Sequence, residues 1–380
     1  MQKFFRLFPI LLMVSILLSG CQASTDADAS DSTQAKETTS GTSLCLAAVK
    51  SADNNLYGYI DAKGTYVIEP EYAAAGDFDD NGLALVKEND SFLYGFINEK
   101  GEYAIEPQFV DAVEFSDNGL AIAQDSKSKL VGYIDESGSY VIKPQFNWAG
   151  DFSDNGLAPV VDSKTELIGY IDKTGEYIIK PQFADARYFA ANGLALVLDA
   201  ETELYGFIDM TGKYIIEAEF TGALDFADNG LALVMDPETG LVGFIDESGS
   251  FVIEPQFANA NSFDDNGWAL AQDPESQLIG YINESGAYEI KPMFANANNF
   301  DKNGWALAQD KESELIGFID DTGKYVIEAQ YANASSFKNG SALVQDPDTG
   351  LYGYIDETGA YLIDPQFADA SFFAIFNSSL

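Results

Sequence analysis

Histidine is absent from the 380 residues, and cysteine occurs only at Cys21 and Cys45. Those two shortages remove most of the familiar catalytic and metal-binding constellations. Without an imidazole there is no Ser-His-Asp triad, no Cys-His pair and no His-ligated zinc or haem. Two thiols make neither a four-thiolate metal site nor a disulfide framework. Bases are also scarce: 20 Lys and Arg stand against 61 Asp and Glu, a formal charge of −41. Phosphate backbones are held by clustered Lys and Arg, so nucleic acid is excluded as a partner. What the chain does have is apolar material, 46% hydrophobic residues and 13% aromatics, enough for a packed core.

The N-terminus reads as an export signal, residues 1–20. Lys3 and Arg6 form a basic head, and Leu7 to Leu18 is an apolar run broken only by Pro9 and Ser15. A run of this length is too short to span a hydrocarbon core of ~30 Å as a helix, and it matches the h-region of a signal peptide. Leu18-Ser19-Gly20-Cys21 closely resembles a bacterial lipoprotein lipobox. That resemblance implies cleavage before Cys21 and acylation of its thiol, so acyl chains would hold the protein at a membrane, at ~0.8 kcal/mol per buried CH₂. Loss of Lys3 and Arg6 with the signal takes the charge from −41 to −43. Residues 21–44 are expected to form a tether. From Gln22 to Ser43 there is no aromatic, Val, Ile, Leu or Met, and a flexible coil of that length spans on the order of 25 Å r.m.s.. Cys45 stands alone just before the first expected strand, and a lone buried thiol is expected there.

Residues 45–380 are one array. Gly-[Tyr/Phe]-Ile-[Asp/Asn] occurs at Gly58, Gly95, Gly132, Gly169, Gly206, Gly243, Gly280, Gly317 and Gly353, seven times at a spacing of 37 and then once at 36. In the unit around Gly206, Leu194-Ala195-Leu196-Val197-Leu198, Leu204-Tyr205-Gly206-Phe207-Ile208 and Lys213-Tyr214-Ile215-Ile216-Glu217 are short β-branched and aromatic runs between turn residues. They predict three strands in an antiparallel meander, with about 14 residues linking to the next unit. Asp209-Met210-Thr211-Gly212 suits a type I turn closed by a left-handed glycine. Pro70, Pro107, Pro144, Pro181, Pro255, Pro292 and Pro365 are expected to end the third strand, since proline cannot donate to a ladder. Ala218 and Ala329 take that place in two units.

Four aromatics recur in every unit, so 36 of the 50 aromatic residues hold repeat-locked positions. One follows the glycine (Phe207), one opens the third strand (Tyr214), one follows the proline position (Phe220) and one sits in the link (Phe226). They read as core, because a three-stranded unit cannot bury its own face and stacked neighbours supply the missing surface. A ladder of sugar-stacking platforms is the competing reading.

This pattern resembles the bacterial WG repeats, whose units run Trp-Gly-[Tyr/Phe]-Ile-Asp-x-x-Gly, then a strand closing in Pro-x-[Tyr/Phe], then a Phe-containing segment before Gly-Leu-Ala. Tyr205-Gly206-Phe207-Ile208-Asp209, Gly212, Phe220, Phe226, Gly230 and Leu231 follow it closely. The name-giving Trp is replaced by Tyr57, Tyr94, Val131, Ile168, Tyr205, Val242, Ile279, Ile316 and Tyr352. The resemblance implies β-structured repeats on secreted or surface proteins and carries no activity with it. An array of meanders can close as a propeller or wind as an open superhelix. Propellers have four to eight four-stranded blades sealed by pairing of the chain ends. Nine units of three strands with no offset segment favour an open or nearly closed superhelix.

A unique site should break the repeat. The residues that do are Trp148, Pro159, Arg187 (the one arginine after the signal), Trp268 and Trp305. None makes an acid/base pair or a nucleophile with its base, so no enzyme and no cofactor are expected. Trp148, Arg187, Trp268 and Trp305 are the candidate ligand-binding residues. The expectation is a membrane-anchored extracytoplasmic module, monomeric, binding a protein, a peptide or an envelope glycan. A carbohydrate-binding surface protein using Trp268 and Trp305 as stacking platforms and a Ca²⁺-stabilised adhesin-like protein are the alternatives. Asp77-Phe78-Asp79-Asp80-Asn81-Gly82 and Asp264-Asp265-Asn266-Gly267 offer hard oxygens beside a turn, but no complete Asp-x-Asp-x-Asp-Gly loop with a downstream Glu occurs. Cations should therefore screen the acidic surface diffusely. At matched ionic strength the melting temperature is expected to be the same with calcium as with a chelator, and a chelator-induced fall would reveal a specific site.

Overall fold

A computed structural model describes residues 46–370 apart from Asp265 and Asn339. The export signal, the tether, Cys21 and Cys45 lie outside the described residues, as does the linking phenylalanine of unit nine. The described chain is all β and consists of nine tandem three-stranded antiparallel units. Unit five is representative, with strands Ala195–Asp199, Tyr205–Ile208 and Tyr214–Phe220. Strands pair only with strands next to them in the chain, in four successive sheets that divide where the third strands of units five, six and eight are interrupted. The first, Ala47–Lys50, pairs only with Tyr57–Ile60, and the last, Tyr361–Phe367, only with Tyr352–Ile355. No strand seals the two ends together, so the described array is open, as a superhelix is and a closed propeller is not.

The turns follow the predicted chemistry. In unit five the Gly212 N–H donates to the Asp209 carbonyl at 2.9 Å, Asp209 Oδ1 accepts the Thr211 N–H and hydroxyl and the Lys213 N–H, and Gly212 has φ +83°. Those donors, the Thr211 hydroxyl foremost, hold the Asp209 carboxyl below the ordinary carboxylate range.

The prolines do not end the third strand. Tyr103–Ala112, Tyr140–Ala149, Tyr177–Ala186 and Tyr288–Ala297 run straight through Pro107, Pro144, Pro181 and Pro292. Their first halves pair with the second strand of the same unit, their second halves with the first strand of the next unit. In unit two Phe96 faces Ile105 and Ile97 faces Tyr103, while Asp111 faces Gln124 and Ala112 faces Ala123. Half of the expected link is therefore strand. The proline is accommodated because it sits in a bulge: between Tyr94 and Phe96 the partner strand advances from Phe109 to Ile105, leaving residues out of register. The signature glycine permits this. A Cβ on Gly206 would lie 2.7 Å from the Ile216 carbonyl oxygen and 2.8 Å from the Ala218 nitrogen, so only a bare backbone fits. Where the third strand is interrupted, at Thr221, Ala258 and Ala332, the N–H still donates to the next unit's Met235, Gln272 or Gln345 carbonyl.

The core is serial, one apolar cluster per joint between units. At the joint of units five and six, Leu196, Phe207, Ile216 and Phe220 pack with Ala232, Val234 and Ile245. Two aromatic contacts repeat along the array. Within a unit the ring after the signature glycine tilts against the linking phenylalanine at 4.7–4.9 Å between centroids, as in Phe207–Phe226. Between units the post-proline ring meets edge-on the ring opening the next third strand, as in Phe183–Tyr214, at 5.8–6.3 Å. The locked aromatics of the inner units therefore pack in or against the core, while Tyr66, Tyr361 and Phe367 of the first and last units are exposed. Such aromatic pairs contribute about 0.5–1.5 kcal/mol beyond their area.

Two outcomes follow from this packing. The Tyr288 hydroxyl is buried with no hydrogen-bond partner, whereas Tyr177 and Tyr214 at the same position donate to Asp162 and Asp199, and unit six carries Phe251. Removing an unsatisfied buried hydroxyl recovers its desolvation penalty, so Tyr288→Phe is expected to raise the urea midpoint, by a stability gain of about 1 kcal/mol. Second, burial together with Asp125, Asp162 and Asp310 pushes Tyr140, Tyr177 and Tyr325 up to about 12. A phenol with a folded pKa above its unfolded value of about 10 stabilises the fold while it is neutral in both states. That stability is complete below pH ~10 and is lost as pH rises toward about 12. Urea midpoints measured across that window are expected to fall together with the appearance of tyrosinate absorbance.

Candidate ligand-binding cleft

Three of the residues that break the repeat lie far apart in the chain and come together in space. Trp148 is the last residue but one of the third strand of unit three, where it pairs with Val161. Pro159 is in the first strand of unit four, opposite Tyr170. Arg187 follows the third strand of unit four, and its N–H donates to Leu196 of unit five. With Asp185, Tyr188 and Asp225 they line a shallow cleft of about 340 Å³.

The local sequence explains how the cleft forms. Gly150 occupies a position that carries Val113, Arg187, Leu224 or Asn261 in other units and a glycine, Gly76, in unit one. A Cβ there would lie 2.5 Å from the Tyr188 hydroxyl and 3.1 Å from both Pro159 Cγ and Trp148 Cη2, so three side chains gather over bare backbone. Backbone bonds hold the frame: the Gly150 N–H donates to the Pro159 carbonyl at 2.9 Å, and the Tyr133 hydroxyl donates to the Gly150 carbonyl at 2.6 Å. With that carbonyl occupied, the N–H that proline lacks leaves no stranded acceptor opposite it. Tyr188 is fixed from the neighbouring unit, its hydroxyl accepting the Asp151 N–H at 3.0 Å. The buried Tyr170 hydroxyl donates to the Arg187 carbonyl at 2.5 Å. The floor is thus held by buried bonds, while the ligand-facing groups stay open, Trp148 at 48% and Tyr188 at 45% exposed.

Charges in the cleft are mixed. Arg187 lies 3.7 Å from Asp225, both side chains being about half exposed. Burial raises the Asp225 carboxyl above its ordinary range, Arg187 draws it back down, and Asp185 adds to the rise. Burial also raises Asp151.

Trp268 and Trp305 do not join this cleft. Each leans on the aromatic core of its own joint, Trp268 edge-on to Phe300 at 5.4 Å and Trp305 edge-on to Phe337 at 5.3 Å, and both are half-buried. Tyr188 was missed by the sequence reading. The signal was present: the residue before the linking phenylalanine is Asp77, Glu114, Asp151 and Asp225 in units one, two, three and five, and among units one to eight only unit four has an aromatic there. In the acidic segments considered for calcium, Asp79 and Asp264 each spend one carboxylate oxygen on two backbone N–H groups of their own turn. Among the described residues no group of three acidic or thiol side chains is placed to hold a metal ion.

The chain belongs to the family of WG-containing repeats, whose profile matches residues 57–91, 94–126, 132–162, 168–199, 205–236, 243–273, 279–312, 316–346 and 352–374. The place of the family's tryptophan pairs across the strand with the post-proline ring, Tyr205 with Phe220 and Val242 with Phe257, so any bulky apolar side chain fills it. No curated protein matches the chain. Solved structures resemble it faintly. Kluyveromyces lactis Hsv2 with its complete loop 6CD shares 10% identity over 67% of this chain and 96% of that one, at a TM-score of 0.36. Dihydro-heme d1 dehydrogenase NirN in complex with DHE shares 11% over 84% of this chain and 72% of that one, also at 0.36. At such scores neither bears on what this chain does.

An ion pair this exposed contributes at most about 1 kcal/mol. Arg187→Ala is therefore expected to leave the melting temperature nearly unchanged, and to shift Asp225 to a higher pKa in a carboxyl NMR titration because the guanidinium no longer opposes protonation. A large loss of stability would make Arg187 a structural residue instead.

Proposed function

We propose that this protein is a lipid-anchored, extracytoplasmic, non-catalytic binding module that displays one ligand cleft on an acidic array, for a protein, peptide or envelope component. The observation that carries the reading is the convergence of Trp148, Pro159, Arg187 and Tyr188 from consecutive units. The near-equivalent joints provide scaffold, and four of the departures from equivalence, Trp148, Pro159, Arg187 and Tyr188, gather at one solvent-facing place. No nucleophile with a base lies in the cleft. The lipobox-like Leu18-Ser19-Gly20-Cys21 and the apolar-poor segment after it support attachment to a membrane at the end of a tether. The net charge of −41 favours basic surfaces and repels anionic ones, most strongly at low salt.

Two measurements on the full-length protein test this. Cys21→Ser is expected to move the protein from the membrane fraction to the supernatant, and retention in the membrane would remove the lipid anchor from the reading. Envelope material is expected to bind immobilised protein and to be released when Trp148→Ala and Arg187→Ala are combined. Binding indifferent to that double variant would remove the cleft.

A further inference from the structure

If the cleft at units three to five is the ligand site, on which this inference rests, its chemistry also limits what enters it. We infer that the cleft takes a neutral saccharide, with a pyranose face on Trp148 and Tyr188 and the ring hydroxyls on Arg187, Asp185 and Asp225.

The charges decide against ions of either sign. A carboxylate or phosphate placed on the Arg187 guanidinium would also face Asp185 and Asp225, on a chain that already carries −41. An ammonium or guanidinium placed on the aspartates would face Arg187 in the same cavity of about 340 Å³. Fixed charges of both signs side by side suit a ligand that has donors and acceptors at adjacent atoms and no net charge. Hydroxyl groups on a sugar ring are such atoms: each donates to a carboxylate and accepts from a guanidinium, and charge-assisted bonds are the strong ones.

The apolar side of the cleft points the same way. Trp148 and Tyr188 are about half exposed, whereas the repeat-locked rings beside them, Tyr133, Phe146, Tyr170 and Phe183, are buried. Both surround the bare backbone of Gly150 with Pro159. An apolar body with polar groups at one edge is what such amphipathic aromatics bind. Pre-organisation is also present. The Asp151 N–H holds the Tyr188 hydroxyl at 3.0 Å, and the Tyr170 hydroxyl holds the backbone that carries Arg187, so the Tyr188 ring and that backbone are in place before a ligand arrives. The size of the cavity suits one or two rings, not a long chain.

The full-length protein is titrated calorimetrically, and by tryptophan fluorescence, with cellotriose, maltotriose, mannotriose and the trimer of N-acetylglucosamine. Hexalysine and hexaglutamate serve as charged probes. At least one saccharide is expected to bind, with no more than a twofold change between low and high salt. Trp148→Ala should weaken it tenfold or more, Arg187→Gln about tenfold, and Trp268→Phe not at all. Unchanged circular dichroism melting of Trp148→Ala establishes that the variant is folded. Silence of all four saccharides, or binding that ignores Trp148→Ala, overturns the saccharide. In that case hexalysine or hexaglutamate binding lost in Trp148→Ala leaves the cleft standing as a binding site for another class. Envelope binding that is also indifferent to the cleft variants overturns both readings.

Discussion

Everything in this array depends on how closely one unit approaches the next. The isoleucine of each third strand is pressed against the turn glycine of the following unit, as Ile105 is against Gly138. A Cβ on that glycine would come within 2.7–3.2 Å of the isoleucine side chain at all eight joints. The same glycine has φ near +80°, so one residue both closes a hairpin and opens the space its neighbour fills. Around this contact the aromatic rings meet edge-on and the apolar cluster of the joint closes. A fully buried isoleucine contributes about 1.5–3 kcal/mol, and it gains this only when the next unit is in place. Stability is therefore a property of neighbouring pairs, as expected of repeat arrays.

That dependence explains why most of the chain is fixed in kind. The post-proline ring, the ring opening the third strand and the turn glycine each serve two units, so a change at any of them is felt twice. Positions that serve neither joint are free to vary. Residues 148, 187 and 188 are of that sort: they follow the bulge, face solvent and carry different side chains from unit to unit. A site can be assembled there without loss to the scaffold, and Gly150 and Pro159 are local adjustments that make room for it.

The electrostatics divide along the same line. Turn aspartates such as Asp135 and Asp209 are held below the ordinary carboxylate range by turn hydroxyls and N–H groups, so much of the acidity is built into the hairpin chemistry. Asp151 and Asp225 differ in that burial raises them, and Arg187 stands beside Asp225. In the cleft the Arg187 guanidinium partly offsets the acidity of Asp225.

Much of the architecture was legible in the residues. Gly-[Tyr/Phe]-Ile-Asp at a constant spacing is a statement about identical units, Asp-x-x-Gly is a turn by the chemistry of its own atoms, and alternating apolar runs are strands by their period. All of these are local and need no knowledge of what lies across space. The course of the third strand was not legible. Proline argued for an end, and only the bulge opposite the signature glycine, which brings residues of two strands into one crowded spot, lets the strand continue. The pairing of rings was also hidden, because Phe183 meets Tyr214 through the offset between units and not through sequence spacing. So was the cleft: Trp148, Arg187 and Tyr188 could be marked as departures from the repeat, yet their meeting depends on the lean of each unit over the one before it. Periodicity sets what each unit is; the step from unit to unit, settled by close packing, decides which side chains meet.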